Sequence, residues 1–402
     1  LMRKKINSLK KGIRSNNFFI LSSILILIFL YSNAWKFYPI YGPDLFIDWL
    51  YIFDFKNCKN NTLITPEDLC KNILASEFVY PKVWLTLSKI TDSRSNFQFL
   101  ILPFIFMYTY IVDYIIQNEN IIIKILFLSS SASVLLLQRG NNDLIIFAFI
   151  FLFFITMENK KYNFFLVPLV VAIKAKIYPI ALFPILLLKK NIKNKKRYYL
   201  ILAILFFIML IFSDYFKLNQ NYNKSGSVLA FSSSMIFKII IFLTNIKFNY
   251  ALVSLFILFF IIVISFFTKI NLPSIQNSKE ISFLIGSAII VSGFFLNEGY
   301  IYKLVFTIFT FPLILEYKKF ISYKLYSYLL FTTLMALWAE FLTFGVENLL
   351  DIDHYHPKEY PGYNFNNIVY GISIILKNLI YWALNVNLIL ISTKIFIKKI
   401  KD

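Results

Sequence analysis

Apolar runs of nearly membrane-spanning length alternate with short polar or basic segments along most of the chain. An α-helix rises about 1.5 Å per residue, so a hydrocarbon core of about 30 Å requires roughly 20 apolar residues. The first run extends from Phe18 to Tyr31 and follows a basic segment. No small-residue cleavage site follows it, and Trp35 and Tyr38 are typical of interfacial anchors. We therefore predict a retained first helix with its N-terminus in the cytoplasm.

The remaining runs predict an all-α, polytopic transmembrane helical bundle of about 12 passes. Further helices are predicted near residues 97–117, 121–137, 142–157, 198–213, 249–268, 280–297, 300–316, 322–343 and 367–393. Lys and Arg concentrate in the connections that we assign to the cytoplasm, as the positive-inside rule requires. Both termini are then cytoplasmic, and exoplasmic loops are predicted at 35–96, 214–247 and 344–366. No internal repeat or separate soluble domain is visible, so residues 1–402 form one integral membrane domain.

The apolar stretch 162–188 departs from this pattern because it contains prolines and two lysines, Lys174 and Lys176. A basic run follows at 189–197 and favours the cytoplasm. The chain must then cross and return within 162–188, and each arm is too short for an ordinary span. Irregular backbone at membrane depth is tolerated beside protein or water. We therefore predict a broken helical hairpin whose lysines lie in a cavity.

The composition supports a membrane protein, with 58% hydrophobic and only 15% charged residues. This excludes a cytosolic enzyme, a secreted domain and a disordered scaffold. The net charge of +20 is a feature of nucleic-acid-binding proteins. Here the lysines lie between apolar segments, so we predict contact with membrane lipids and none with nucleic acid. Cys58 and Cys70 fall in the first exoplasmic loop, where they form either a disulfide or two free thiols.

Three polar clusters beside the predicted spans are candidates for function, because ionisable groups at membrane depth are costly. The first contains Asp44 and Asp48, just after the first helix. If this segment is helical, the two carboxylates share one face beside apolar residues. Such surroundings raise a carboxyl pKa and favour a general base. The alternative is an ordinary acidic loop.

The second and third clusters favour anion binding. Arg139, Asn141, Asn142 and Asp143 form a short turn whose hydrogen-bonding groups suit an oxyanion or sugar hydroxyls; a plain surface turn looks similar. The third cluster contains Lys174, Lys176 and Tyr178. These lysines oppose the positive-inside rule, which favours a bound lipid phosphate, although lysines near helix ends also reach the interface by snorkelling.

Two further groups lie at predicted exoplasmic junctions. Glu298 and Tyr300 are candidates to line the same cavity. In the loop at 344–366, carboxylates alternate with the two histidines of the chain, at Asp351, Asp353, His354 and His356. These side chains are competent metal ligands, but an exposed charged loop is the default interpretation, so no metal site is assigned.

In their order along the chain, these elements resemble the polyprenyl-phosphate-dependent membrane glycosyltransferases of the GT-C fold, most closely glycosyltransferase family 87 and its bacterial relatives. The resemblance rests on short motifs spread from residue 44 to about 303: Asp44 after the first helix, the Arg139-Gly140-Asn141-x-Asp143 turn, Lys176-x-x-Pro179 before a basic run, Tyr80-Pro81 closing the first loop, Asn223-x-Ser225 after a mid-chain helix, and Tyr302-Lys303 where relatives tend to carry Tyr-Arg.

The resemblance implies a catalytic carboxylate at Asp44, with Asp48 as the alternate. It implies donor binding by the second and third clusters and Lys303, and a cavity to which Tyr80, Asn223, Ser225, Glu298, Tyr300 and Tyr302 contribute. The donor would be a hexose, mannose-like, on a polyprenyl phosphate, and the acceptor an exoplasmic lipid or glycan. No cofactor is required, and dependence on a divalent metal stays open. The location implied is a bacterial inner membrane, with the active site on the exoplasmic side.

Three other functions compete with this interpretation. A lipid-linked oligosaccharide or small-solute transporter would need polar groups along both leaflets, whereas the clusters here concentrate on one side. A polysaccharide polymerase tends to carry a larger late exoplasmic loop than 344–366. A catalytically silent membrane scaffold needs none of the clusters. Transfer of a sugar from a polyprenyl-phosphate donor separates the enzyme from the transporter and the scaffold.

Overall fold

The computed structural model describes most of the chain as helix. The described residues are 18–37, 45–59, 84, 89–90, 93–116, 121–158, 166–176, 178–188, 230–233, 235–237, 249–268, 277–295, 299–349 and 368–401. The chain divides into two compact units, Leu1–Leu152 and Phe153–Asp402. The division falls within one helix, and each unit has its own packing.

The described part of the first unit is helical. Its helices are α1 (Phe18–Tyr31), α2 (Ile47–Lys59), α3 (Arg94–Phe99), α4 (Leu102–Ile115), α5 (Ile121–Leu128), α6 (Ser131–Arg139) and the greater part of α7 (Asp143–Glu158), with a 3₁₀ turn at Ala34–Phe37. Serine hydroxyls cap two of these helices. Ser93 Oγ accepts the N–H of Asn96 at 3.4 Å, and Ser130 Oγ accepts the N–H of Ser133 at 3.3 Å, which satisfies donors that a helix N-terminus leaves unpaired.

Buried polar contacts hold the helices of the first unit together. Trp49 of α2 donates its indole N–H to the Phe97 carbonyl at 2.8 Å and stacks on the Phe97 ring with centroids 5.0 Å apart. The Ser23 and Thr109 hydroxyls join α1 to α4 at 2.6 Å. A buried ion pair between Asp113 of α4 and Lys124 of α5 fixes the next helix pair. These contacts join α2 to α3, α1 to α4 and α4 to α5 within the first unit.

The second unit centres on two long helices. Its elements are the end of α7, α8 (Leu166–Ala175), a 3₁₀ helix (Tyr178–Leu182), α9 (Phe183–Leu186), β1 (Ala230–Phe231), α10 (Tyr250–Phe267), α11 (Asn277–Phe295), β2 (Gly299–Tyr300), a second 3₁₀ helix (Ile301–Phe309), α12 (Phe311–Tyr317), α13 (Tyr323–Trp338), α14 (Glu340–Leu349) and α15 (Ile368–Lys401). The two short strands pair antiparallel, with Ala230 opposite Tyr300 and Phe231 opposite Gly299.

Helices α11 and α15 pack antiparallel in the core of the second unit. The rings of Phe294 and Trp382 meet at 5.3 Å near one end of the pair. Near the other end, Lys398 Nζ lies 3.1 Å from a carboxylate oxygen of Glu280. This register decides which residues of the two helices lie at the same depth.

The predicted helical membrane fold is present in part, but the count of about 12 passes is not supported. Within the described residues, three helical segments are long and apolar enough to cross a membrane: Ser95–Ile115, Asn277–Phe295 and Val369–Ile400. The number rises to five if two bent pairs, Ile121–Leu128 with Ser131–Arg139 and Tyr323–Trp338 with Glu340–Val346, each count as one span. Other apolar helices, including α1, α8 and the apolar part of α10, have only 10–17 residues. The predicted helix at 198–213 lies outside the described residues.

The break predicted within 162–188 is present. Helix α8 ends at Ala175, and a 3₁₀ helix begins at Tyr178. Ten residues of α-helix extend about 15 Å, half of a hydrocarbon core of about 30 Å. Pro179 and Pro184 fall after the break, where missing N–H groups prevent α8 from continuing regularly. The two predicted lysines therefore lie at the end of a short helix.

Candidate functional site

The turn between α6 and α7, residues Gln138–Asp143, is closed by its own backbone. Gly140 adopts a left-handed conformation with φ 56°. Its N–H donates to the Leu137 carbonyl at 3.1 Å, and the N–H of Asn141 donates to the Leu136 carbonyl at 3.3 Å. This is the Schellman pattern of a helix C-terminus. The side-chain oxygen of Asn141 then accepts the N–H of Asp143 at 2.9 Å, so α7 begins three residues after the glycine.

Asn142 is the unusual residue of this turn. Its side chain is only 2% exposed, and neither Oδ1 nor Nδ2 has a hydrogen-bond partner among the described residues. Leaving buried polar atoms unpaired is unfavourable. The amide offers one acceptor and one donor side by side, which matches a hydroxyl group or an amide of a ligand.

The segment before α2 rests directly on this turn. The N–H of Phe46 donates to the Gln138 carbonyl at 2.6 Å, and Phe46 is fully buried. Phe46 also has a positive φ of 61°, a strained conformation for a bulky residue that the surroundings must impose. Leu45 and Phe46 directly follow Asp44 in the chain. Phe46, which lies between the predicted residues Asp44 and Asp48 in the chain, therefore contacts the turn that holds the second predicted cluster.

We expect Gly140→Ala to destabilise the protein. A Cβ at this position would lie 3.0 Å from Phe46 Cβ, and the left-handed φ would remain. The conformation alone costs about 1–2 kcal/mol for a residue with a Cβ, and the contact adds to that. The measurement is the unfolding midpoint in mild detergent.

Gly345→Ala is the matched control for this substitution. Gly345 lies within α14, and a Cβ there would meet nothing within 4 Å. Ala is favoured over Gly by roughly 0.5–1 kcal/mol in a helix interior, so this variant should be slightly more stable. Equal midpoints for the two variants would contradict the close approach of Phe46.

The second unit brings together residues from two predicted segments that are far apart in sequence. Lys176 Nζ lies 5.6 Å from the ring centre of Tyr302, and Lys303 Nζ lies 5.3 Å from that of Tyr178. Both distances are within cation–π range. Tyr178, Tyr302 and Lys303 are each at most 5% exposed. We call these four residues the lysine–tyrosine cluster.

Helix α11 supports this cluster through its last two turns. Ser292 donates its hydroxyl to the carbonyls of Tyr178, at 3.4 Å, and Ile289, at 3.0 Å. A Cβ at Gly293 would lie 3.0 Å from Lys303 Cδ, so the lysine stem packs against the backbone of α11. Because Gly293 has no side chain, the Lys303 side chain can pack directly against α11.

A second group of charges lies at the opposite end of α11. Glu280 pairs with Lys398 at 3.1 Å and with Lys399 at 2.6 Å. Glu316, outside the candidate spans, pairs with Lys279 at 2.6 Å and Lys319 at 2.8 Å, and their hydrogen bonds lower the pKa of Glu316 below its ordinary value. We call these six residues the ion-pair cluster. Glu280 and Gly293 are 13 residues apart, which corresponds to about 20 Å along the helix.

Other residues predicted from the sequence lie on separate elements of the fold. Asp48 is the second residue of α2. Helix α2 begins at Ile47, and Phe46 before it has a positive φ, so the helix that contains Asp48 does not extend back through Phe46. Arg139 ends α6, Lys174 is exposed near the end of α8, and Tyr300 lies in β2. Cys58 is disulfide-bonded.

The other predicted residues lie outside the described residues. They are Asp44, Cys70, Tyr80, Asn223, Ser225, Glu298, Asp351, Asp353, His354 and His356. Across the described ranges, no group of three or more His, Cys, Asp or Glu side chains is arranged to hold a metal ion.

Sequence reasoning missed buried ion pairs, including Asp113–Lys124 in the first unit and Glu340–Lys377 in the second. Glu340 and Lys377 are both fully buried, with Nζ 3.2 Å from the carboxylate. Tyr381 donates its hydroxyl to Glu340 Oε1 at 3.0 Å, and the Thr343 hydroxyl lies 3.3 Å from Oε2. Glu340 begins α14, where the span bends by 50° after Trp338. The sequence did show one carboxylate and one lysine, each within a long apolar run. Ionisable residues in such runs are functional candidates by default.

Together, the fold and these clusters define a helical protein with several helices long and apolar enough to span a membrane. Beyond that class, comparison with family models, curated proteins and solved structures finds no match.

Proposed function

We propose that this protein is a membrane glycosyltransferase that moves a hexose, mannose-like, from a polyprenyl-phosphate carrier to an exoplasmic lipid-linked or glycan acceptor. The observation that carries the proposal is the lysine–tyrosine cluster. Lys176 and Lys303 come from distant segments, yet each ammonium group faces the ring of the tyrosine beside the other lysine. Two cations in one cluster suit a phosphate, since charge-assisted hydrogen bonds to an anion are strong.

The charges along α11 support an orientation for this site. The ion-pair cluster contains four lysines and lies about 20 Å from Gly293 along the helix. Lysine-rich ends of spanning helices favour the cytoplasm. On this orientation the lysine–tyrosine cluster belongs to the exoplasmic half of the membrane, where a polyprenyl-linked donor would present its sugar.

The proposed reaction is a single displacement at the anomeric carbon. Asp44, as general base, removes the proton from an acceptor hydroxyl while the acceptor oxygen bonds to the anomeric carbon. The bond from that carbon to the phosphate oxygen breaks, and the polyprenyl phosphate leaves as an anion. Lys176 and Lys303 stabilise the charge that grows on this phosphate. Because phosphate is a stable leaving group, the step needs no general acid.

The Gln138–Asp143 turn contributes a second supporting observation. Asn142 is buried, and its two amide atoms have no partner within the described ranges. A sugar hydroxyl, which both donates and accepts, would satisfy them. We therefore propose that Asn142 binds a sugar hydroxyl. Arg139, Asn141 and Asp143 belong to the same turn, where Asn141 fixes the start of α7.

The direct experiment is transfer of a labelled hexose from polyprenyl phosphate to lipid acceptors by the full chain in nanodiscs. We expect Lys176→Gln and Lys303→Gln to reduce transfer by about tenfold to a hundredfold, since a hydrogen bond to a charged group contributes roughly 1.5–3 kcal/mol. The loss should include a higher KM for the donor. Lys319→Gln removes one equally positive charge from an exposed position and should leave transfer unchanged.

The outcomes separate the parts of the proposal. No transfer by the wild-type chain from any polyprenyl-linked hexose would reject the enzyme and favour a transporter or scaffold. If the wild-type chain transfers the sugar and all three substitutions, of Lys176, Lys303 and Lys319, leave the rate unchanged, the enzyme activity stands. The lysine–tyrosine cluster is then rejected as its phosphate site.

A further inference from the structure

Helix α15 carries a row of buried polar groups that the proposed reaction does not use. Asn378, Trp382, Asn385 and Ser392 follow one another at intervals of four, three and seven residues, so they share one face of the helix. The side chains of Asn378 and Asn385 are at most 1% exposed. The row extends over 14 residues, or about 21 Å of a candidate span.

Each member of this row has one polar atom without a hydrogen-bond partner among the described residues. These atoms are Asn378 Oδ1, Trp382 Nε1, Asn385 Oδ1 and Ser392 Oγ. The two asparagines are oriented by their other amide atom. Asn378 Nδ2 donates to the Ile374 carbonyl at 2.9 Å, and Asn385 Nδ2 donates to the Tyr381 carbonyl at 2.8 Å. The Oδ1 atoms of both asparagines can therefore accept hydrogen bonds from groups outside the helix.

Helix α11 places a further polar atom at the same depth. Ser287 is 1% exposed, and its hydroxyl also has no partner within the described part of the chain. It lies midway between Glu280 and Phe294, which contact Lys398 and Trp382 respectively. In the antiparallel register, that midpoint falls close to Ser392. We call the four residues of α15 together with Ser287 the polar seam.

Ionic groups lie near both ends of the polar seam along α15. Asn378 follows Lys377, whose ammonium group pairs with Glu340, and Asn385 bonds to the backbone of Tyr381, whose hydroxyl donates to Glu340. At the other end, Ser392 precedes the Lys398 and Lys399 pairs with Glu280. Polar atoms thus extend between two buried carboxylates at opposite ends of the helix pair.

We propose that the polar seam binds a file of water molecules between α11 and α15 that joins the Glu340–Lys377 pair to the ion-pair cluster. Backbone and side-chain polar groups at membrane depth require internal partners, and a water that donates and accepts satisfies carbonyl oxygens, an indole N–H and hydroxyls alike. Buried waters are typically held by two to four such groups. The file gives the Glu340 carboxylate a route for proton exchange with the ion-pair end of the helix.

Cysteine substitution in nanodiscs tests for this water. A thiol reacts with ethylammonium methanethiosulfonate only as the thiolate, and burial in a dry apolar site suppresses the thiolate. We expect Ser287→Cys and Asn385→Cys to react at least about tenfold faster than dry controls, because each unit by which the thiol pKa rises lowers the thiolate fraction about tenfold. The wild-type chain gives the background of its two cysteines.

The controls match each substitution on the same helix. Ser282 of α11 is as buried as Ser287, but its hydroxyl donates to the Phe309 carbonyl at 2.7 Å. Leu388 of α15 is 2% exposed and apolar. Rates at Ser287→Cys and Asn385→Cys no faster than at Ser282→Cys and Leu388→Cys would show a dry seam and overturn the proposal. Ser287→Cys is nearly isosteric, so it decides the question even if Asn385→Cys does not fold. Labelling does not depend on sugar transfer, so either proposal can fail alone.

Discussion

Asp44→Asn is expected to reduce sugar transfer by about 10²–10⁴-fold, the range that a positioned general base contributes. The amide keeps the size of the carboxylate but cannot accept the proton of the acceptor hydroxyl. The unfolding midpoint should stay at the wild-type value, because Asn has nearly the same size and shape as Asp. The measurement is the initial rate of hexose transfer at saturating donor, together with thermal unfolding of the same preparation.

Asp48→Asn is the comparison for this prediction. Asp48 lies in the first turn of α2, four residues after Asp44, and is the alternate base of the proposed reaction. A large loss in Asp48→Asn with full activity in Asp44→Asn would exchange the two roles. Full activity in both variants would remove the general base from this segment.

Breaking the Glu340–Lys377 pair is expected to have the largest effect on stability. Both side chains are fully buried, so Glu340→Gln leaves the Lys377 ammonium group without its carboxylate inside a candidate span. Removing one partner of a buried pair typically costs about 3–5 kcal/mol. Lys377→Met should cost a similar amount, because it leaves the buried Glu340 carboxylate without its lysine. The measurement is denaturant unfolding in mild detergent.

The double variant Glu340→Gln with Lys377→Met should be more stable than either single substitution, because no isolated charge remains buried. Lys319→Gln at the exposed pair with Glu316 provides the reference for a surface bridge, for which about 0–1 kcal/mol is expected. A double variant that loses the sum of the single losses would contradict a direct ionic contact between Glu340 and Lys377.

Hydropathy located most of the helices, but local chemistry decided where they break. The apolar run 121–137 predicted one helix, whereas Ser130 caps a new helix and bends the span by 52°. The run 300–316 is divided because Pro312 lies in the first turn of α12 after a 3₁₀ helix. Hydropathy averages over such residues, so it overestimates the length of regular helices and with it the number of passes.

The candidate site was predictable only in its local parts. Chemistry at the Gln138–Asp143 turn and at Lys176 was visible in short polar motifs within apolar surroundings. The cross-pairing of Lys176 with Tyr302, and of Lys303 with Tyr178, depends on the packing of α11 against a distant 3₁₀ helix. A single sequence carries no signal for that register. The Glu340–Lys377 pair was missed for the same reason, since its partners lie 37 residues apart.

The antiparallel packing of α11 and α15 has a consequence for the order of assembly. Glu280 and Lys398 are 118 residues apart, so a ribosome working at about 5–20 residues per second completes Lys398 roughly 6–24 s after Glu280. Glu340 likewise waits for Lys377. Helix α15 therefore completes the ionic contacts of both Glu280 and Glu340. A nascent chain that stops before this helix therefore retains the Glu280 and Glu340 carboxylates without their α15 lysines.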